Sequence, residues 1–204
     1  MTTSPMMRES RIVLIACTAL LLVACGTSVT RNDPGQTLDL SGRWNAEDSR
    51  RVADTMITEA LSNPWHELFQ AQKGSKPMVR IGRVQVRSNG DVIDTEIFTN
   101  DLRRAFINSG QVGVVASSDE VGATRTEQRD QETHAREETR SEAFQETGAD
   151  FLLGGTIKVQ DDQLDNVVQK FYSVDLILTH IETQEQVWIG NEKIAKVVKN
   201  GRFR

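Results

Sequence analysis

Cysteine is almost missing from this chain: two residues in 204, Cys17 and Cys25, both near the start. No disulfide framework is available to the residues beyond them, so any fold built there must rest on its own core. Histidine is nearly as scarce, with His66, His134 and His180 as the three. No Gly-x-Ser-x-Gly elbow, no His-Glu-x-x-His pair and no Gly-x-Gly-x-x-Gly cradle occurs, so no catalytic residue, metal site or cofactor is expected. His134 with Glu137 and Glu138 has helical spacing, but in so acidic a stretch such neighbours arise from composition alone. Long apolar runs are also lacking. The longest, Ile12 to Ala24, is broken only by Cys17 and Thr18 and falls short of the roughly 20 residues that span a bilayer.

That apolar run comes after Arg8 and Arg11 and ends in Leu22-Val23-Ala24-Cys25-Gly26. A basic start, a short apolar core and small residues before a cut define a signal peptide, and the cysteine directly after them looks like a bacterial lipobox. The expectation is cleavage before Cys25, with acyl chains on that cysteine, its thiol taking a diacylglycerol, tying the chain to a membrane. By resemblance to known sorting signals, Gly26 in place of aspartate points to the periplasmic face of the outer membrane. Of the 24 Lys and Arg and 29 Asp and Glu, two and one lie before Cys25, leaving 22 against 28. An acidic balance argues against nucleic acid.

Residues 25–43 are small and polar around Pro34-Gly35 and read as the lipidated cysteine and a flexible tether, whose stretch from Cys25 to Ser41 reaches at most about 55 Å when pulled straight. The folded part is expected over residues 44–204, with Asn45 and Asp48 at capping-box spacing. Val52, Met56, Ile57, Ala60 and Leu61 recur as one helical face, ended by Asn63-Pro64, and one or two further turns run from Trp65 to Gln72. Met78 to Val86 is β-branched and reads as a strand; Ser88 to Asp91 is a turn. Asp94 or Thr95 caps a helix carrying Ile97, Phe98, Leu102, Ala105 and Phe106, which Gly110 ends, and Val112 to Ala116 is a short strand. Strand, helix, strand implies parallel pairing.

Ser117 to Thr147 carries nine acidic and four basic residues and little to bury, fitting a loosely laid helix or a partly mobile segment. Gly148 to Val159 returns to strand, with Gly154-Gly155 suggesting a bulge or a close backbone approach. A polar loop is expected at Asp161 to Asn166, then a long strand, Val167 to Ile181, and a last one from Gln186 to about Val198, the three forming an antiparallel meander. In the long strand Asp175 falls on the face opposite Tyr172, Val174 and Leu176, beside Phe171 and Ile177, as a rim residue. Trp44, Trp65 and Trp188 are assigned to the core. The fold class is mixed α/β (α+β): a single domain with a mixed sheet of about five strands and helices packed on it.

The order of these segments resembles the penicillin-binding protein activator LpoB family of outer-membrane lipoproteins. The matching pieces are Ser41-Gly42-Arg43-Trp44-Asn45, Asn63-Pro64-Trp65, Lys76-Pro77-Met78-Val79, Asp91-Val92-Ile93-Asp94-Thr95, Asp101-Leu102-Arg103 through Ser109-Gly110, Gly148 to Ile157 and the final hairpin. The resemblance implies a non-enzymatic, monomeric activator that binds the periplasmic docking domain of a bifunctional class A penicillin-binding protein and raises its two activities. The chain departs from family members with a long Pro-rich or Gln-rich tether, since its own is short. The rival expectation is a structural or scaffolding envelope lipoprotein with no synthase partner. Two solvated charged stretches are candidate partner surfaces: the turn with Arg87, Asn89 and Asp91, and the polar segment with Arg125, Arg129, Arg136 and Arg140.

Overall fold

Asn45 caps the first described helix as its spacing implies. Its side chain accepts the Asp48 N–H at 3.0 Å while the Asp48 carboxylate accepts the Asn45 N–H at 3.0 Å, so two of the orphan donors that every helix start leaves are met reciprocally. Helix α1, Ala46–Ser62, starts there and buries Val52, Ala53, Met56, Ile57 and Ala60. After Pro64, helix α2, Trp65–Lys73, ends on Gly74 at φ 72, a left-handed cap that glycine adopts without a Cβ penalty. The computed structural model describes residues 42–134 and 147–199; the leader, Cys25 and the tether up to Ser41 lie outside them. None of the described helices is long and apolar enough to cross a membrane.

Strand β1, Met78–Arg87, leads through a turn to helix α3, Thr95–Ser109, which is capped by Asp94 and ended by left-handed Gly110. Strand β2, Gly113–Val114, then pairs in parallel with Met78 and Val79. It is shorter than the expected Val112 to Ala116, because Arg80 Nη1 takes the Ala116 carbonyl at 3.2 Å and Ser117 already turns toward the next helix, bonded to Glu120. Helix α4, Ser118–His134, is mostly exposed.

Strands β3, Phe151–Leu164, β4, Val167–His180, and β5, Gln186–Lys199, form the expected meander. The sheet order is β2-β1-β3-β4-β5, with β1 parallel to both neighbours and the rest antiparallel. The polar stretch read as a loop is instead paired almost to its tip, Leu164 opposite Val167. Asp165 turns the chain at φ 53, and Lys170 bonds Asp161 across the ladder at 2.8 Å, so cross-strand pairing overrides the weak strand tendency of Asp and Gln. The glycine signal has two physical sources. The bulge lies on β1 between Ile81 and Val84, opposite Gly154, while a Cβ on Gly155 would stand 2.2 Å from the Asp175 carbonyl oxygen.

Helices α1, α2 and α3 pack on one sheet face, where Val79, Phe151, Leu153, Ile157, Tyr172, Val174, Leu176 and Leu178 are buried with Phe98, Leu102 and Phe106. Trp65 and Trp188 are buried; Trp44 is half-buried, edge-on to Phe98 and Tyr172 at 6.0 and 5.6 Å. Replacing Leu176→Ala at the middle of this face is expected to cost about 2–5 kcal/mol in urea unfolding, whereas Leu164→Ala at the exposed hairpin tip changes stability by less than about 0.5 kcal/mol. Equal effects at the two positions would contradict the burial assignment.

Candidate functional site

Tyr172 lies on the covered face of β4, but its hydroxyl reaches the end of the sheet where polar groups gather. It donates to Asp91 Oδ2 at 2.9 Å, with the Gly42 carbonyl oxygen a second acceptor at 3.3 Å. Lys170 bonds both Asp91 oxygens at 3.0 Å, and the two side chains are only 12% and 9% exposed. One strand over, Lys196 donates to Asp48 at 2.5 Å and to the Arg43 carbonyl at 3.1 Å. Burial pushes the Asp91 carboxyl up, but hydrogen bonds from Lys170 and Tyr172 outweigh it and hold the pKa below the ordinary value. Burial pulls Lys170 down, yet Asp161 and Asp91 carry it above the ordinary lysine range. Burial, then the Asp91 carboxylate, drives the Tyr172 hydroxyl upward. A nucleophilic or general-base lysine or tyrosine needs the opposite direction. This cluster is an ion-pair clamp that fastens residues 42–48 and the turn after β1 to β4 and β5.

The opposite sheet face is built differently. On β3 to β5 the side chains of Leu152, Thr156, Asp175, Ile177, Ile189 and Asn191 point away from the helices, by alternation with the buried set. Lys158 Nζ meets Asp175 Oδ2 at 2.9 Å and Asn191 Nδ2 meets Asp175 Oδ1 at 2.7 Å; the Lys158 bond, opposed by partial burial and helped by Asn191, holds the Asp175 carboxyl below its usual range. Asp175 thus lies on the face expected for it. A cleft of about 490 Å³ opens at the other end of the sheet, lined by Trp65, Leu68, Phe69, Phe151 and His180 among others. His180 is held there by Thr183, whose backbone N–H donates to Nδ1 at 3.2 Å, and His66 Nε2 lies 2.9 Å from the Leu61 carbonyl oxygen. Among the described residues no three His, Cys, Asp or Glu gather as a metal site.

The residues singled out from the sequence fall in separate places. Arg87 and Asn89 are exposed at the far end of β1, and Asp91 is turned into the clamp. Arg125 and Arg129 are exposed on α4, which leaves the sheet from the opposite end of β1, where Arg80 meets Ala116. Arg136, Arg140 and Cys25 lie outside the described residues, as do Glu137 and Glu138. The open face was missed as a unit; its signal was the second apolar phase in β4 and β5, Phe171 and Ile177, then Ile189 and Val197.

A family model described as peptidoglycan-synthase activator LpoB matches residues 48–194. Among solved structures, the LpoB C-terminal domain from Salmonella enterica is 17% identical with TM-score 0.42, covering 72% of this chain and 98% of that one. The LpoB C-terminal domain from Escherichia coli is 16% identical with TM-score 0.42, covering 73% and 99%. Lipoprotein GNA1162 from Neisseria meningitidis is 15% identical with TM-score 0.37, covering 62% and 87%. No curated protein matches.

The clamp predicts two pH limbs. Asp91 has a folded pKa below its unfolded value of about 3.9, so its contribution is whole above that pH and is lost as pH falls through the folded value. Tyr172 has a folded pKa above its unfolded value of about 10, so its contribution is whole below that pH and is lost as pH rises through the folded value. Asp91→Asn is expected to flatten the acid limb and Tyr172→Phe the alkaline one, each costing about 1–3 kcal/mol near neutrality by leaving a partner short of a bond. Urea unfolding from pH 3 to 11 reads both, and unchanged slopes would refute the assignment.

Proposed function

We propose, from the premise that this chain belongs to the peptidoglycan-synthase activator LpoB family, that it is an outer-membrane lipoprotein which binds and activates a bifunctional class A penicillin-binding protein. The family match carries the reading, since residues 48–194 include nearly all of the described fold from α1 into β5. The lipobox-like Leu22-Val23-Ala24-Cys25 supports the address, with residues 1–24 removed as a signal peptide, Cys25 acylated and residues 25–43 as the tether. The clamp is consistent with such a tether, since the carbonyl oxygens of Gly42 and Arg43 accept from Tyr172 on β4 and Lys196 on β5.

Activation without chemistry of its own is an allosteric task. The domain must bind the synthase's active state more tightly than its resting state, and a typical coupling of about 1–3 kcal/mol corresponds to roughly 5–150-fold. The short tether then requires the synthase to present its docking domain well outward, since the straight-chain limit is about 55 Å.

Two measurements test this. Mass spectrometry of the native chain should find its N-terminus at Cys25 carrying fatty acyl groups, and Cys25→Ser should leave the membrane fraction; a free cysteine there sinks the address. Adding the mature chain to a purified class A penicillin-binding protein from the same cell should raise glycan polymerisation at least about five-fold. No stimulation of any class A synthase, with intact binding to other envelope proteins, would favour a scaffolding lipoprotein instead.

A further inference from the structure

The open sheet face is ordered in rows. Pairing sets Arg87 beside Lys158, Lys158 opposite Ser173 and Ser173 opposite Lys193, a basic row crossing four strands. The next row, Thr156, Asp175 and Asn191, is polar, with Asn191 bonded to Asp175; the row after it, Gly154, Ile177 and Ile189, is apolar. Ile189 is 65% exposed, Leu152 beside this row 40%, and Val197 on the same face 61%. Asp175 answers one lysine of the basic row, Lys158, by direct contact. Like charges side by side on a sheet destabilise it, and here they stand on a chain whose net charge is −5. Arg87, Lys158 and Lys193 thus gather positive charge beside an exposed apolar row on a chain that is acidic overall, a combination suited to a partner of opposite charge.

We infer that this face is the surface on which the synthase docks, and that it receives an acidic, apolar-centred patch of the synthase's non-catalytic periplasmic domain. The inference rests on the activator reading above. Three strands of 14 residues, at about 3.4 Å per residue and about 4.8 Å apart, offer roughly 700 Å² before β1 is added, close to the roughly 800 Å² per partner of a stable complex. A second copy is disfavoured, because stacking the face on itself brings the basic rows together. A lipid surface is disfavoured as well, because the apolar row is flat and bordered by polar groups and offers no amphipathic helix to insert.

The test uses the full acylated chain in detergent and a full-length class A penicillin-binding protein from the same cell, with binding measured across a salt series. Arg87→Glu with Lys193→Glu is expected to weaken binding about ten-fold or more and to flatten its salt dependence. Ile189→Ser should weaken binding while leaving the salt dependence intact, and Arg51→Glu on the helix side should change neither. Urea midpoints equal to wild type confirm that each variant folds. Wild type that binds no class A synthase sinks the activator reading and this inference together. Wild type that binds, with the face variants binding equally well, overturns the docking surface alone. Variants that keep synthase binding but lose anionic-vesicle association or self-association overturn it in favour of those occupants.

Discussion

Strands β3, β4 and β5 each present side chains alternately to two environments, and the difference between those environments organises the molecule. Toward the helices stand Phe151, Leu153, Ile157, Tyr172, Val174, Leu176 and Leu178, all essentially closed to water. Each such side chain contributes about 1.5–3 kcal/mol on burial, which makes slippage of the register by one residue very costly, because it would move the whole set outward. Helices α1, α2 and α3 are placed by that face, and with it fixed the other face is committed to whatever its own residues can do in water or against a partner.

Two buried ion pairs on the covered side lie near where α1 and α3 begin. Lys170 and Lys196 are long enough to carry their amines past the apolar layer, and each meets a carboxylate, Asp91 and Asp48, drawn from outside the sheet. A buried pair of this kind adds little net stability over an apolar pair of equal volume, but losing one partner strands the other. Its effect is positional. It fixes where the chain enters α1 and where it turns after β1, and it does so with geometry that a purely apolar contact would leave looser.

Helix limits were legible because their signals are local: Asn45 with Asp48, Asp94 and Gly110 each act within a few residues. The tip of the β3–β4 hairpin was not, since Asp161, Asp162 and Gln163 have no strand preference of their own and take it from Lys170, Gln169 and Val168 opposite. Asp91 read as part of a solvated turn because neither Lys170 nor Tyr172 is near it in sequence; they are 79 and 81 residues away. The open face was visible only in pieces. Asp175 was placed correctly beside Phe171 and Ile177, but the basic row joins residues from β1, β3 and β5, and no single strand carries it.

Gly42 adopts φ +64 and sits so close to Val198 that a Cβ there would fall 2.1 Å from Cγ2, with Trp44 lying against Tyr172 two residues on. Tension arriving along the preceding chain therefore enters beside side chains of β4 and of the edge strand β5 and is spread over the long β4–β5 ladder. Because α1 begins only after that junction, a tug at the amino end strains the sheet's own hydrogen-bonded rungs before it can unwind the first helical turn. The load is taken at the edge of the sheet, and the start of α1 lies behind that point.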